Sequence, residues 1–287
     1  MFKFFILNLF IILSSSNIYS QQSLFVETAD GWKIHLKYVK PKKDNLEVLL
    51  LIHSAKSNHL EFKKWFVDIE KYGYGWLALD LRGHGASTYH IDGTSETYKT
   101  FSVSGINNDY NKMIRDIDAC VVYLSSVGVD ESKIFLVGAN LGANIAIKYG
   151  VINQKIGGIV AINPASNIND VTTIKPLMLY KEKPILFITG QNFLKRMKEV
   201  FLLYNLTKRK NGSNYTFIIT QYSIKSPENF SRSLIYNILN WIKYPVMPDV
   251  TQIQNFQIES STKTLDTSTD LPKSSFIILE EDYDTQN

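Results

Sequence analysis

Residues 133–149 read KIFLVGANLGANIAIKY, and this stretch decides the fold. Its first half is a short apolar run, residues 134–137, which is closed by Gly138. Its second half, residues 141–148, is rich in alanine and carries apolar residues at helical spacing. The pattern therefore predicts a buried strand, a tight turn and a helix in direct succession.

The turn of this stretch carries Gly138 and Gly142 on either side of Asn140, as G-x-N-x-G. The spacing resembles the G-x-S-x-G nucleophile elbow of the α/β-hydrolase family, in which small flanking residues let strand and helix approach closely. An elbow apex has a positive φ, and Asn is among the few non-glycine residues that tolerate this conformation. However, a carboxamide is a poor nucleophile that no neighbouring base can activate as it would a Ser hydroxyl. The stretch predicts the shape of an elbow without its usual chemistry.

A second stretch, residues 80–87 with the sequence DLRGHGAS, follows a predicted strand at 76–81. It resembles the loop after the fourth strand of many α/β-hydrolases, and the order and separation of the two stretches also match that family. The resemblance implies an α/β fold of the α/β-hydrolase type, with a mostly parallel central sheet and helices on both faces. It is similar to lidless esterases of the dienelactone-hydrolase-like or serine-peptidase-like kind.

The remaining pattern agrees with strands that alternate with helices. A hairpin is predicted around residues 29–31, and only about 20 residues separate the strands at 156–162 and 184–189, too few for a lid domain. The other predicted elements are strands at 46–52 and 215–220 and helices at 61–71, 110–125, 193–207 and 228–243.

The family resemblance implies a nucleophile at the elbow, an acid after a late strand and a His beyond the last strand. Asn140 takes the first position, Asn192 or Phe193 the second and Lys225 the third. No histidine follows Gly138, because the five histidines are His35, His53, His59, His84 and His90. A degenerate triad with no intact catalytic residue is therefore predicted, and an inactive hydrolase is favoured.

Binding features of the family remain at matching positions. The resemblance places the backbone N–H groups of Ser54 and Leu141 at the oxyanion hole, where they would bind a small acyl or anionic ligand. His53 and His84 match family positions that usually bond loops together. No cofactor and no metal site is predicted, and Cys120, the only cysteine, is expected to be a core residue.

The ends of the chain differ from the middle. Residues 1–20 contain an apolar run, 4–13, followed by small and polar residues, which predicts a secretory signal peptide. The expected location is secreted or periplasmic, with no transmembrane span after cleavage, and the alternative is an uncleaved N-terminal anchor. Residues 21–244 form one predicted domain, and the acidic residues 245–287 read as a largely disordered tail.

Charge separates the domain from the tail. Residues 21–244 hold 28 basic and 19 acidic side chains, whereas residues 245–287 hold two and eight. A solvated basic surface with a solubilising tail explains this, and the alternative is a tail that docks on the domain or a domain that binds anionic surfaces. No basic cluster interleaved with aromatic residues indicates nucleic acid.

Three functional hypotheses follow. The first is an exported pseudoenzyme that binds a small ligand or an envelope protein. The second is an active esterase or thioesterase with a non-standard constellation, for example with Lys225 as the base. The third is a structural or interaction module.

Overall fold

The structure of the protein is a computed structural model that describes residues 21–246. The predicted signal peptide and the tail beyond residue 246 lie outside the described residues. Within the described part of the chain, no helix combines the length and the apolar character needed to cross a membrane.

Eleven strands and seven helices alternate along residues 21–246. The strands are β1 Gln22–Glu27, β2 Trp32–Val39, β3 Val48–Ile52, β4 Gly75–Leu79, β5 Tyr89–His90, β6 Ile134–Ala139, β7 Gly158–Ile162, β8 Asn167–Ile168, β9 Val171–Thr172, β10 Ile185–Gly190 and β11 Thr216–Gln221. The helices are α1 Lys63–Tyr72, α2 Asp109–Lys112, α3 Ile114–Ser126, α4 Leu141–Ile152, α5 Ile174–Leu179, α6 Leu194–Asn211 and α7 Arg232–Lys243.

The main sheet has the strand order β1-β2-β4-β3-β6-β7-β10-β11, and β5 pairs with β2. The pairs from β4 through β11 are parallel, and β2 runs antiparallel to β1 and β4. The central strands β3, β4, β6 and β7 are buried at every position, as a sheet covered on both faces requires. The prediction of a mostly parallel sheet is confirmed.

Helices cover both faces of this sheet, also as predicted. One hydrophobic core packs side chains of α3, α4, α5 and α6 against one face. The other core packs α1 and α7 against the opposite face. Cys120 is fully buried in the first core, which confirms its predicted place. The segment between β7 and β10 holds β8, β9 and the six-residue α5, and the lidless core stays a prediction.

Several predicted boundaries differ from the structure: the helix at 193–207 extends to Asn211, the strand at 76–81 ends at Leu79, and three other helices differ as follows. The helix at 61–71 begins with a 3₁₀ turn, His59–Phe62, because the side chain of Asn58 accepts from the Leu60 N–H and caps that turn. The helix at 110–125 is divided between α2 and α3. The helix at 228–243 starts only at Arg232, because the Ser231 side chain caps it by accepting from the Leu234 N–H.

The strand-turn-helix unit lies at the centre of the sheet. Asn140, between β6 and α4, has φ 48° and ψ −109°, so the positive φ expected of an elbow apex is observed. A Cβ on Gly138 would lie 2.3 Å from the Gly142 carbonyl oxygen, and one on Gly142 would lie 2.2 Å from the Ile52 carbonyl oxygen. Glycine at both positions lets β6, α4 and the end of β3 touch through their backbones.

This contact predicts that Gly142→Ala destabilises the protein. The added methyl meets backbone atoms that cannot move aside, so the free energy of unfolding should fall by about 2 kcal/mol or more. Gly150→Ala is the matched control in the same helix, since its methyl meets the flexible end of Ile159. We expect the control to stay within about 1 kcal/mol of the unaltered protein. If Gly142→Ala and Gly150→Ala gave equal urea unfolding curves, the claim that Gly142 is required for this backbone contact would be wrong.

Candidate functional site

Asn140 holds its side chain against the end of β3. Its Nδ2 donates a hydrogen bond to Ser54 Oγ over 2.9 Å. The strand pairing explains the contact, because Ile52 is in register with Gly138 and Ser54 follows Ile52 by two residues. Within residues 21–246, this hydroxyl is the hydrogen-bond partner of the Asn140 side chain, and no imidazole or carboxylate reaches it.

Ser54 is in turn held by Glu61, a carboxylate that is only 4% exposed. Ser54 Oγ donates to Glu61 Oε1 over 2.8 Å, and the Ser54 N–H donates to Oε2 over 2.6 Å. Ser226 Oγ donates to Oε1 over 3.1 Å. The Ser54 hydroxyl uses its hydrogen to donate to the carboxylate, so toward Asn140 the Ser54 oxygen can only accept. The Asn140 amide is therefore oriented with its donor, Nδ2, toward Ser54. We call Asn140, Ser54, Glu61 and Ser226 the Glu61 network.

The Glu61 network already engages one of the two predicted oxyanion-hole donors. The N–H of Ser54 already donates to Glu61, so a ligand at this position would compete with a carboxylate of the protein itself. Leu141 begins α4 and is fully buried. Ligand binding by these two N–H groups stays a prediction.

The other predicted triad positions come together at the ends of β10 and β11. Lys225 Nζ lies 5.4 Å from the centroid of the Phe193 ring, a cation–π distance. Asn192 Nδ2 donates to Ser223 Oγ over 3.3 Å. Lys225, Asn192 and Phe193 are all exposed, so none of them is desolvated as a catalytic acid or base usually is. Ser226, which follows Lys225, links this loop to the apex through the Glu61 network.

His53 is buried next to Ser54 and has both ring nitrogens engaged. Nδ1 donates to the Ser54 carbonyl oxygen over 2.7 Å, and Nε2 accepts from the Leu81 N–H over 3.0 Å. Burial, together with the neighbouring His84, lowers the pKa of His53 to about 3. The ring is therefore neutral at neutral pH and joins two loops, as predicted.

His84, like His53, is buried and hydrogen-bonded to a backbone carbonyl oxygen. Its Nδ1 donates to the Arg82 carbonyl oxygen over 2.8 Å, and its ring stacks on Tyr98 with 4.5 Å between centroids. Burial lowers the pKa of His84 as well. Its Nε2 is buried and has no partner among the described residues. The hydrogen bond of His84 therefore stays within its own loop, and the stacking on Tyr98 is the contact that joins this loop to another segment.

Asp80, which follows β4, is the centre of a second polar cluster. Oδ1 accepts from His59 Nδ1 over 2.7 Å and from the His59 N–H, while Oδ2 accepts from His35 Nδ1 over 3.0 Å and from the Ala86 N–H. Burial alone would raise the pKa of Asp80, but the bonds from His35 and His59 outweigh it and hold the pKa well below its usual range. Asp80 is therefore ionised.

The Asp80 cluster is also a potential metal-binding group. Ligand atoms of His35, His59 and Asp80 all lie within 4.8 Å of one another. In the present arrangement both Nδ1 atoms carry the protons that they donate to the carboxylate, so they are not free to bind a cation. The arrangement is that of a hydrogen-bonded cluster, and the absence of a metal site stays a prediction.

A cavity of about 510 Å³ lies away from the elbow, between β1 and α3. Its lining includes Val26, Arg115, Val122 and Tyr123 and none of the predicted site residues. We place the candidate site at the Glu61 network, because polar side chains from separate elements converge there.

Glu61 and Ser226 were not among the residues singled out in the sequence. Glu61 lies at the start of a predicted amphipathic helix, where an acidic residue usually faces solvent and favours the helix N-terminus. Ser226 lies in a polar loop beside a proline. The sequence offers one indirect indication of them. If Ser54 lies beside Asn140 in the interior, its hydroxyl needs a hydrogen-bond acceptor, and a nearby carboxylate can be that acceptor.

We predict that Glu61→Gln destabilises the protein. A glutamine offers one oxygen where the carboxylate offers two, so at least one of the three donors loses its acceptor, at about 1–3 kcal/mol. Glu228→Gln is the matched control, because Glu228 is exposed and should change stability by about 0.5 kcal/mol or less. Urea unfolding measures both, and a Glu61→Gln variant as stable as the control would refute the network.

We also predict a pH dependence that comes from His53. The unfolded chain binds a proton at His53 below about pH 6.5, whereas the folded protein excludes it down to about pH 3. The free energy of unfolding should therefore fall as pH drops through this window, by about 1.4 kcal/mol per unit from this group. His53→Gln should reduce the slope of unfolding free energy against pH by about 1.4 kcal/mol per unit, the effect of one proton. His90→Gln is the control and should keep the contribution of His53. An unchanged slope in His53→Gln would rule out a buried neutral imidazole.

Comparisons with known proteins identify the family. The family model described as "Serine aminopeptidase, S33" matches residues 43–210. No curated protein sequence matches the chain. Among solved structures, an esterase of Pyrococcus furiosus is 19% identical with a TM-score of 0.62, over 80% of this chain and 94% of that one.

Two further solved structures share the fold. A dienelactone hydrolase of Anabaena variabilis is 11% identical with a TM-score of 0.61, over 79% of this chain and 99% of that one. An acetyl xylan esterase of Paenibacillus sp. R4 is 15% identical with a TM-score of 0.61, over 82% of this chain and 87% of that one. Since the family model also matches more than half of the sequence, the chain belongs to the serine aminopeptidase S33 family and has the α/β-hydrolase fold.

Proposed function

We propose that this α/β-hydrolase-fold protein has lost hydrolysis at its elbow and binds a small acyl ligand at the loops at the ends of β10 and β11, which Ser226 and Glu61 connect to the elbow. One observation carries the proposal. The apex residue is Asn140, and the hydrogen-bond partner of its side chain is the Ser54 hydroxyl. Acyl transfer at an elbow needs a nucleophile and a base within hydrogen-bond reach of it, and neither is found at this apex among the described residues.

The histidines do not supply the missing base. His53 is the imidazole next in sequence to Ser54, but both of its nitrogens are engaged in loop contacts. A general base near neutral pH needs a pKa close to the working pH, and the pKa of His53 is about 3. Lys225 is exposed beside Phe193, and the hydrogen-bond partner of the Asn140 side chain among the described residues is Ser54, so Lys225 is not positioned as a base at the apex.

The ligand class follows from the loops at the ends of β10 and β11. Lys225 offers a cation, and Phe193 beside it offers an apolar ring that is 39% exposed. Leu194 and Tyr222, both more exposed than Phe193, extend the apolar surface of these loops. A carboxylate with an acyl chain of medium length matches this combination, because its charge pairs with the cation while the chain contacts the rings.

An active enzyme is the second candidate, and the Ser54–Glu61 pair favours it. Ser54 Oγ is half-buried and lies 2.8 Å from a buried carboxylate that accepts its proton. A serine and a base in hydrogen-bond contact are the minimum of a nucleophilic site. We favour binding, because Glu61 also holds the Ser54 N–H and Ser226, contacts that describe a structural anchor.

Export is part of the proposal. The apolar run at residues 4–13 and the small residues up to Ser20 support a cleaved signal, with an uncleaved anchor as the alternative. An exported location would make a ligand or a protein partner of the cell envelope accessible to the domain.

Calorimetric titration of residues 21–287 with octanoate and with inorganic phosphate tests the proposal. We expect octanoate to bind, and Lys225→Gln to weaken it about fivefold, because an exposed ion pair contributes about 1 kcal/mol. Lys43→Gln, which removes an exposed charge from another loop, should bind octanoate normally. Phe193→Ala should also weaken octanoate but leave any phosphate binding unchanged.

Three results would contradict the proposal. The first is no heat with octanoate, and the second is equal binding by Lys225→Gln and Lys43→Gln. The third is turnover of p-nitrophenyl acetate that Ser54→Ala abolishes, which would establish the second candidate instead.

A further inference from the structure

A separate group of side chains lies at the edge of the sheet, on β1, β2 and the end of β4. Ser23 Oγ is 3.0 Å from His35 Nε2, and His35 Nδ1 is 3.0 Å from Asp80 Oδ2. The serine is exposed, the histidine is 8% exposed and the aspartate is 1% exposed. The three groups therefore form a hydrogen-bonded chain from solvent to a buried carboxylate, the order found in Ser-His-Asp sites on unrelated folds.

The protonation of this chain is fixed by Asp80. An ionised carboxylate can only accept hydrogen bonds, so the proton between it and His35 lies on Nδ1. In the neutral ring, Nε2 is then the acceptor, and the hydroxyl of Ser23 donates to it. This is the tautomer that a general base for a serine nucleophile requires.

The imidazole of His35 is also held in place from behind. Its own backbone N–H donates to Ser87 Oγ over 2.8 Å, and Ser87 Oγ donates to the Asp80 carbonyl oxygen over 2.6 Å. Asp80 is fixed by the His59 and Ala86 N–H groups. A base that is oriented by a rigid second group is the remaining geometric requirement of such a site.

Charge and apolar surface border Ser23 on the same face of the sheet. Lys37 is directly opposite Ser23 in the antiparallel register, which puts the two Cβ atoms about 5 Å apart. Lys37 has no ion-pair partner within residues 21–246. Phe25 is 54% exposed, and its ring centroid lies 5.3 Å from that of His35. The cation can balance a developing oxyanion, and the ring can contact an acyl or aryl group.

We propose that Ser23, His35 and Asp80 form a second, independent site that hydrolyses small activated esters, in particular aryl esters of short acids. Three strands lie between β1, which carries Ser23, and β6, so the proposed nucleophile is roughly 19 Å from the strand of the elbow. It goes beyond the proposed function and does not depend on it. Ser23 and His35 are its catalytic residues, Lys37 faces the oxyanion, and Asp80 is a positioning residue.

The reaction balances with water as the second reactant. Ser23 Oγ bonds to the ester carbonyl carbon as its proton passes to His35 Nε2, and the carbonyl oxygen becomes an oxyanion opposite Lys37. The bond from carbon to the leaving oxygen then breaks, and that oxygen takes the proton from His35. A water molecule attacks the acyl-Ser23 by the same steps and releases the acid. Activated esters suit an exposed site, because their leaving groups need less stabilisation than an amine does.

Labelling with a fluorophosphonate tests the proposal on residues 21–287. We expect one adduct, mapped by peptide mass spectrometry to Ser23, and no adduct in Ser23→Ala. Ser132→Ala, an exposed serine on another element, should label at the rate of the unaltered protein. His35→Gln should slow labelling about 100-fold, the lower end of what a positioned base contributes. Turnover of p-nitrophenyl acetate should follow the same order.

Lys37→Met is the second variant, since it leaves the buried hydrogen bonds intact and keeps the test valid if His35→Gln fails to fold. It should slow p-nitrophenyl acetate turnover while the thermal midpoint stays unchanged. An adduct at Ser54 with none at Ser23, no adduct at all, or equal labelling in folded His35→Gln and the unaltered protein would overturn the proposal. So would full turnover in Lys37→Met. An adduct at Ser54 would separately support an active elbow region, so the two outcomes remain distinguishable.

Discussion

The backbone contact between β6, α4 and the end of β3 is the constraint on which the rest of the structure depends. Gly138 and Gly142 allow it, because a Cβ at either position would lie 2.3 Å or less from a carbonyl oxygen. Asn140 is thereby held at φ 48° and ψ −109°, a sparsely populated backbone conformation that the surrounding contacts maintain. Asn140 shows that this shape does not require a nucleophilic side chain at the apex, and its amide contacts Ser54 instead.

Two buried carboxylates then organise the carboxyl ends of the parallel strands. Glu61 joins the end of β3 to the loop after β11 through Ser54 and Ser226. Asp80 joins the end of β4 to β2 through His35 and to the 3₁₀ turn before α1 through His59. Each carboxylate accepts at least three hydrogen bonds, which compensates the loss of its hydration. His53 and His59 therefore have structural roles near the elbow. At the edge of the sheet, the imidazole of His35 is hydrogen-bonded to the exposed hydroxyl of Ser23.

Much of the fold was predictable from the sequence, because it rests on local patterns. The apolar run before Gly138 and the alanine-rich run after it predict the strand and helix around Asn140. Cys120 was expected in the core for the same reason. The contacts that define the two polar clusters were not predictable from local patterns. Glu61 and Ser226, for example, are 165 residues apart in the sequence, and only the folded chain brings them together. Ser23 gave no signal, because a serine on an edge strand is ordinary until the register places it beside His35.

The central claim is that the elbow keeps its geometry and lacks the groups that would make it react. The most direct measurement is the rate of p-nitrophenyl acetate hydrolysis by Asn140→Ser in a Ser23→Ala background, compared with Ser23→Ala alone. We expect equal rates, because a serine at the apex would find neither an imidazole nor an ordered acid within reach. A clear rise in the rate on introducing Ser at residue 140, in a protein that remains folded, would show that a base already reaches the apex and would contradict the claim.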